Sequence, residues 1–205
     1  MEIDNFLKFE KKIAFVNESN QKYTYGKLLE KINNFSKFFK KKSIVLIICE
    51  NNEETLFSYL SIYKKKFLGI LIPSNLNNEL INSIIKKFKP NYIVGNERYK
   101  FLDKNYFIKK KFNDTIIWSC RIKIKTSYHK NLAILLPTSG TTGSSKFVGL
   151  SYENISTNCE QIKKSLSLKT SDRSITILPL SYSYGLSVIN SHLYAGSTIY
   201  LYKGS

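Results

Sequence analysis

The segment at residues 138–146 consists only of hydroxyl-bearing residues, two glycines and one lysine. Its members are Thr138, Ser139, Gly140, Thr141, Thr142, Gly143, Ser144, Ser145 and Lys146. Glycines allow the backbone to approach a ligand closely and to turn successive N–H groups toward an anion. Hydroxyl groups donate further hydrogen bonds to phosphate oxygens, and the lysine ammonium supplies a positive charge. The segment therefore predicts a polyphosphate-binding loop, with Lys146 as its cation.

This loop differs from the common P-loop pattern GxxxxGK[ST], in which the final hydroxyl residue binds Mg²⁺. Counted from Gly140, that pattern needs glycine at position 145 and serine or threonine at position 147. The chain has Ser145 and Phe147 there, which disfavours a GTPase-like or kinase-like site. A flexible serine and glycine linker is the alternative interpretation. The strand-like runs LAILLP and FVGL flank the loop directly and argue against it.

Histidine and cysteine are too few and too scattered to indicate a metal site or a disulfide framework. His129 and His192 are the two histidines, and neither has a cluster of Cys, Asp or Glu beside it. Cys49, Cys120 and Cys159 form no CxxC pair, which favours a reducing compartment. The amino terminus shows no secretory signal, and the apolar runs are far shorter than the roughly 20 residues of a membrane helix. We expect a cytoplasmic protein without a membrane partner.

The strong positive charge does not by itself predict a nucleic-acid partner. The formal net charge is +17, but 29 of the 32 basic residues are lysines and only three are arginines. Arginine is the side chain that binds phosphate and guanine through two parallel hydrogen bonds. The lysines are also spread over most of the chain, which favours solvated lysine faces and disfavours nucleic-acid binding.

Short apolar runs alternate with segments of helical periodicity in the first part of the chain. SIVLIIC, LGILIP and NYIVG predict strands, whereas YGKLLEKINNFSKFFKK, with Thr24 as its N-cap, NNEETLFSYLSIYKKK and NNELINSIIKKF predict helices. This β-α-β-α-β order favours an α/β fold with a mostly parallel sheet covered by helices. Residues 1–130 are predicted as a first α/β block that ends in a connector, residues 96–130, with RIKIK as an edge strand.

Residues 131–205 predict a second α/β block that carries the loop. LAILLP leads into the loop, and FVGL follows it. Next come a helix that begins at Ser151 or Asn154, the strand SITILPL, a helix that ends at Gly196, and the strand STIYLY. Ligands bind α/β sheets beyond the carboxyl ends of the strands, which is where the loop lies. The last strand lacks the cover that a parallel strand needs on both faces, so we expect the front part of a longer protein.

Several of these segments resemble the adenylate-forming superfamily of acyl-CoA synthetases, luciferases and peptide-synthetase adenylation domains. TSGTTGSSK is similar to that family's phosphate loop, TSGTTGxPKG, and LSYENI to the LTHxNL that follows it. YTYGKLLEKINNFSKFF resembles the early YTYxEL segment, and LPLSYSYGLSVINSHLYAGSTIYL resembles the region around LPLFHxxG. GILIPSNLNNELINSIIKKFKPNYIV resembles the intervening segment, so the similarity extends over residues 13–201.

The resemblance implies an ATP-dependent ligase with a role in fatty acid metabolism. In such enzymes a carboxylic acid attacks the α-phosphate of ATP with the help of Mg²⁺, and pyrophosphate leaves. The acyl-adenylate then passes its acyl group to coenzyme A or to an acyl carrier protein. The resemblance further implies that residues 138–144 and Lys146 bind the phosphates, with Lys146 also catalytic, and that Tyr182, Tyr184 and Gly185 line the acyl pocket.

The chain also departs from the family pattern. Ser145 and Phe147 replace the usual proline and glycine around Lys146, and Tyr182 replaces the histidine of LPLFHxxG, so no histidine role carries over. Tyr182 and Tyr184 could instead pack in the core after Pro179. The family's adenine-binding segments, magnesium-binding glutamate and second catalytic lysine have no counterpart in the 205 residues. A truncated, non-catalytic nucleotide-binding module, or one half of a split ligase with a complementing chain, is therefore the alternative function.

Overall fold

The chain forms two β-sheets with helices packed against them. The computed structural model describes residues 2–40, 42–99, 104–122, 124, 127–138 and 146–202. The strands are β1 (Ile13–Val16), β2 (Lys22–Thr24), β3 (Ile44–Cys49), β4 (Leu68–Pro73), β5 (Tyr92–Asn96), β6 (Tyr106–Phe112), β7 (Thr115–Cys120), β8 (Leu132–Pro137), β9 (Phe147–Ser151), β10 (Arg173–Thr176) and β11 (Thr198–Leu201). The α-helices are α1 (Tyr25–Ser36), α2 (Glu53–Lys64), α3 (Asn78–Phe88), α4 (Tyr152–Ser165) and α5 (Ser183–Ala195), and a 3-10 helix spans Ile3–Phe9.

Side-chain caps fix where most of these helices begin. The Thr24 hydroxyl accepts a hydrogen bond from the Lys27 amide at 3.2 Å, which confirms its predicted role at the start of α1. Ser151 and Asn154, the two predicted starting residues of α4, both act there, because each side chain accepts from the backbone of the other. Helix α5 ends as predicted at Gly196, whose φ of 76° is a left-handed conformation that glycine adopts without steric cost.

The seven-stranded sheet has the order β6-β7-β5-β3-β4-β8-β9. Its central strands β5, β3, β4 and β8 are parallel, whereas β7, β6 and β9 join it antiparallel. The smaller sheet has the order β10-β11-β1-β2, with β10, β11 and β1 parallel. This arrangement confirms the predicted α/β class. Each sheet contains strands from both sides of residue 130, and the division into two domains at that residue stays a prediction.

Two hydrophobic cores cover both faces of the seven-stranded sheet. Strand β3 shows the division, because Val45, Ile47 and Cys49 belong to one core and its alternate residues belong to the other. The first core also contains residues of α1, α2, α4, α5 and the four-stranded sheet, so these helices hold the two sheets together. The second core packs α3 against the opposite face. The continuous apolar run SIVLIIC thus predicted correctly a strand buried on both faces.

The connector prediction for residues 96–130 was wrong, because β6 and β7 form an antiparallel hairpin in this segment. Strand β6 lies at the edge of the sheet and carries three consecutive lysines, so its sequence lacks a strong apolar pattern. Arg121, Ile122 and Ile124 of the predicted strand RIKIK lie outside the strands, and residues 123 and 125 lie outside the described part of the chain. Across the described ranges, no helix is long and apolar enough to span a lipid bilayer.

Candidate functional site

The β8–β9 hairpin holds the two ends of the predicted phosphate loop together. Pro137 and Phe147 are paired in its register, and the Thr138 amide donates a hydrogen bond of 2.9 Å to the Lys146 carbonyl oxygen. The Thr138 hydroxyl donates to the same oxygen at 3.3 Å. Residues 139–145, which include the remaining predicted ligands Ser139, Gly140, Thr141, Thr142, Gly143 and Ser144, lie outside the described residues. The loop therefore leaves and rejoins the sheet at one point.

That point is the carboxyl edge of the parallel strands. Strand β8 is parallel to β4, which is parallel to β3, so the carboxyl ends of these three strands lie along the same edge. The sequence predicted this placement from the apolar run LAILLP. Lys146 is exposed, and none of the ion pairs between described residues includes it. Its ammonium group is therefore available to an anionic ligand.

The second predicted group, residues 182–185, forms the start of α5. Tyr182 is the residue before the helix and is 45% exposed, while Tyr184 in its first turn is 70% exposed. The alternative in which both tyrosines pack in the core is therefore wrong. Their phenol groups are accessible to a ligand and can donate hydrogen bonds.

Gly185 is buried because the chain before α5 folds back against it. A Cβ atom at this position would lie 2.5 Å from the carbonyl oxygens of both Leu178 and Pro179. These are backbone atoms that cannot rotate away, so every larger residue would displace the segment. Glycine at position 185 therefore fixes the path of the chain that carries Tyr182 and Tyr184.

Asn51 joins the two sheets at their carboxyl edges. It lies between β3 and α2, and its side-chain amide lies 3.4 Å from the Thr176 and Ile177 carbonyl oxygens and 3.0 Å from that of Tyr202. These carbonyls lie at the carboxyl ends of β10 and β11. The loop follows β8 of one sheet, and the segment before α5 follows β10 of the other. Asn51 therefore links the two sheet edges from which these segments extend. Sequence analysis missed this residue, and the signal that could have found it is a side-chain amide two residues after a buried strand.

Further polar contacts occupy the turns at the same edge. The Arg98 guanidinium lies 3.1 Å from a Glu50 carboxylate oxygen, and it donates to the Tyr99 hydroxyl at 2.9 Å. The Tyr99 hydroxyl donates in turn to the Ser74 carbonyl oxygen at 2.6 Å. The hydrogen bond to Tyr99 raises the pKa of Arg98, so the guanidinium remains charged. These contacts fix the chain after β3, β4 and β5.

One buried hydroxyl near the start of α5 has no partner. Ser181 is 4% exposed, and its Oγ atom forms no hydrogen bond with any residue that the structure describes. An unsatisfied buried hydroxyl is energetically unfavourable, and such groups often contact a ligand or a water molecule. Ser181 immediately precedes Tyr182. Its hydroxyl is a second polar group, missed in the sequence, that a ligand at this segment could satisfy.

The described residues contain no group of three or more His, Cys, Asp or Glu side chains that could hold a metal ion. The His192 Nδ1 atom lies 2.8 Å from the Val188 carbonyl oxygen, within the same helix. Cys49 and Cys159 are fully buried, and burial raises the pKa of the Cys159 thiol to about 11. These residues therefore contribute to packing, and neither thiol is ionised near neutral pH.

The chain matches the family model described as AMP-binding enzyme over residues 4–205. It is 24% identical over 195 residues to a 2-succinylbenzoate–CoA ligase of Lactococcus lactis subsp. lactis (strain IL1403), a match that covers 88% of this chain and 40% of the relative. The chain thus spans about two fifths of the length of this curated relative.

Solved structures with the same fold are also about twice as long. The O-succinylbenzoate coenzyme A synthetase MenE of Bacillus subtilis, in complex with ATP and magnesium, matches with a TM-score of 0.79 and 17% identity, over 99% of this chain and 57% of that one. MatB of Rhodopseudomonas palustris matches with a TM-score of 0.76 and 17% identity, over 100% and 46%. These structural likenesses and the match to the family model agree, and the chain belongs to the AMP-binding enzyme family.

Proposed function

We propose that this chain supplies the phosphate-binding part of an ATP-dependent ligase that activates a carboxylic acid as its acyl-adenylate and transfers the acyl group to a thiol. The observation that carries this proposal is the pairing of Thr138 with Lys146 at the carboxyl edge of a parallel sheet. This pairing supports the proposal because it joins the two ends of a glycine- and hydroxyl-rich segment at the edge where ligands bind such sheets, and Lys146 has no ion pair among the described residues. Membership of the AMP-binding family supports a nucleotide as the ligand.

In this proposal Lys146 stabilises the charge on the β- and γ-phosphates of ATP. Pyrophosphate leaves with several negative charges, so a cation and preoriented donors at its oxygens lower the barrier to its departure. The hydroxyl groups and backbone amides of residues 138–144 supply those donors. Bound Mg²⁺ would neutralise part of the phosphate charge, and the ATP and magnesium complex of MenE supports its use in the family.

Residues 182–185 border the acyl pocket in the same proposal. The exposed phenol groups of Tyr182 and Tyr184 and the unsatisfied Ser181 hydroxyl offer polar contacts to an acid or to its adenylate. Gly185 keeps these side chains in place through its close packing against Leu178 and Pro179. Asn51 holds the chain that leads into this segment through the Thr176 and Ile177 carbonyl oxygens.

The thiol acceptor in this proposal is coenzyme A or an acyl carrier protein. The names of the relatives favour coenzyme A, because a 2-succinylbenzoate–CoA ligase and a coenzyme A synthetase are among them. A cytoplasmic location and a role in fatty acid metabolism also belong to the proposal. Because the relatives are about twice as long, the complete reaction needs residues beyond these 205, either in one polypeptide or in a complementing chain.

Substitution of Lys146 tests the phosphate contact. We expect Lys146→Ala to weaken ATP binding by roughly tenfold or more, because it removes a hydrogen bond to a charged group. Lys164→Ala is the matched control, since Lys164 is an exposed lysine in the last turn of α4. Isothermal titration with ATP measures both variants. Equal losses of affinity would show that bulk positive charge binds ATP, and they would contradict the proposed site.

Exchange of labelled pyrophosphate into ATP tests the reaction itself. We expect no exchange from the 205-residue chain alone, and acid-dependent exchange once the remaining part of a ligase is supplied. The complemented sample should lose this exchange when it carries Lys146→Ala and keep it when it carries Lys164→Ala. Absence of exchange across a varied panel of carboxylic acids would contradict the ligase proposal and would favour a non-catalytic nucleotide-binding module.

A further inference from the structure

Two adjoining cavities open at the amino-terminal edge of the seven-stranded sheet. Their volumes are about 710 and 750 Å³, and both are lined by Cys120, Ile122 and Ile124. The first continues to the end of α3, and the second to the chain that enters β3 and β5. We refer to the two cavities together as the amino-edge cleft. Since β8 is parallel to β3 through β4, the cleft and the β8–β9 hairpin loop lie at opposite edges of the sheet.

The amino-edge cleft is lined by positive charge without a described acidic residue. Its basic residues are Lys40, Lys42, Lys86, Lys89, Lys109 and Arg121. Among the described residues, no ion pair includes Lys40, Lys86, Lys89, Lys109 or Arg121. Several uncompensated cations around one concave surface create a positive potential that attracts anions. An anionic ligand would reduce the repulsion between them.

Aromatic rings position two of these cations at the second cavity. The Lys109 ammonium lies 4.9 Å from the ring centroid of Tyr92, and the Arg121 guanidinium lies 5.1 Å from that of Phe107. Such contacts hold a cation in place while leaving its N–H groups free to donate. Arginine and lysine placed in this way bind phosphate oxygens through charge-assisted hydrogen bonds.

The amino-edge cleft also has apolar side chains among its lining residues. Ile85, Ile122 and Ile124 contribute to the first cavity, and Phe107 lines the second. Ile122 is 58% exposed, so its side chain is accessible to a ligand in the cleft. The combination of apolar and cationic lining residues matches a ligand that has an apolar body and an anionic head. The cavity volumes lie in the range of small-molecule sites, which favours a small ligand over a flat macromolecular partner.

We propose that the amino-edge cleft binds an amphipathic organic phosphate, with the phosphate between Lys109 and Arg121 and the apolar part against Ile122 and Ile124. The phosphate could belong to a free metabolite or to a lipid headgroup. This proposal does not depend on the nucleotide-binding function of the opposite edge.

Cys120 provides a direct reporter of occupancy. It is a partly exposed free thiol that lines both cavities, whereas Cys49 and Cys159 are completely buried. An uncharged thiol reagent such as iodoacetamide should therefore label the native chain at Cys120, and peptide mass spectrometry identifies the labelled position. A bound ligand that covers this thiol slows the labelling in proportion to the occupied fraction.

The experiment compares octyl phosphate with octyltrimethylammonium, both below their micelle concentrations, as probes of equal chain length and opposite charge. We expect octyl phosphate at ten times its Kd to slow Cys120 labelling roughly tenfold, because only about one eleventh of the protein remains unoccupied. Octyltrimethylammonium should leave the rate unchanged. Equal protection by both probes would overturn the proposal. It would also be overturned if neither the probes nor lipid vesicles protected Cys120.

Variants and vesicles define the contact and the source of the phosphate. Lys109→Gln with Arg121→Gln should abolish the protection, whereas Lys163→Gln with Lys164→Gln on α4 should preserve it. Retained protection in the first variant would contradict the proposed phosphate contact, and circular dichroism checks that both variants remain folded. Protection by phosphatidylglycerol vesicles but not by phosphatidylcholine vesicles assigns the phosphate to a lipid headgroup. Protection by octyl phosphate alone assigns it to a free metabolite.

Discussion

The two edges of the seven-stranded sheet differ in how their polar groups are satisfied. At the carboxyl edge, Asn51 contacts three carbonyl oxygens of the other sheet, and Arg98 is paired with Glu50. At the amino edge, Lys40, Lys86 and several other cations surround two cavities without an acidic partner among the described residues.

This difference separates groups that hold the fold from groups that remain available to a ligand. Polar side chains that hydrogen-bond to the backbone limit the motion of the segments that they contact. A binding site needs this when its side chains must stay in fixed positions relative to the ligand. Uncompensated surface cations contribute little to stability, but they create a potential that a ligand can exploit. Substitutions of engaged residues such as Asn51 at the carboxyl edge should therefore affect the fold, whereas neutral substitutions of the cations at the amino edge should affect binding alone.

The largest effect on stability is expected from Gly185→Ala. The new Cβ would approach the carbonyl oxygens of Leu178 and Pro179 to 2.5 Å, and overpacking against backbone costs about 2–3 kcal/mol of unfolding free energy. Urea denaturation measures the loss. Gly149→Ala is the control, because its Cβ would meet flexible side-chain ends and no backbone atom, with Leu132 Cδ1 at 2.8 Å and Leu135 Cδ2 at 3.6 Å. A loss at Gly149 as large as that at Gly185 would contradict the steric argument.

An intermediate effect is expected from Asn51→Ala. The substitution removes the donors to the Thr176, Ile177 and Tyr202 carbonyl oxygens and should cost about 1–2 kcal/mol. Because Asn51 joins the two sheets, hydrogen exchange should also accelerate in residues 176–182. The exposed residue Asn158 on α4 provides the control Asn158→Ala. Unchanged exchange in residues 176–182 would show that Asn51 does not fix this segment.

The smallest effect is expected at the amino edge, from Lys40→Gln combined with Lys86→Gln. Both lysines are exposed and have no ion pair among the described residues, so the unfolding free energy should change by less than about 0.5 kcal/mol. The same urea titration measures this variant. A loss comparable to that of Asn51→Ala would remove the distinction between the two edges, since it would show that the amino-edge cations stabilise the fold.

Much of the candidate site could be predicted because its signals are local. The loop at residues 138–146 combines glycines, hydroxyls and a lysine directly after an apolar strand, and these residue types indicate phosphate binding without knowledge of distant contacts. The exposure of Tyr184 and the role of Asn51 could not be predicted in this way. Both depend on which residues of distant segments lie nearby, and the local sequence does not specify this. In addition, an asparagine before a helix is equally compatible with a helix N-cap.

The sequence by itself determined the elements that local patterns specify. Apolar periodicity and capping residues such as Thr24 and Ser151 set the helices, and the run SIVLIIC set a strand buried on both faces. Tertiary structure alone decided that β11 pairs with β1 and β10 with β11, and that lysines far apart in the chain surround one cleft. The physical reason is that periodicity reports how each element is buried, whereas strand order and charge clustering depend on contacts between residues that are distant in the sequence.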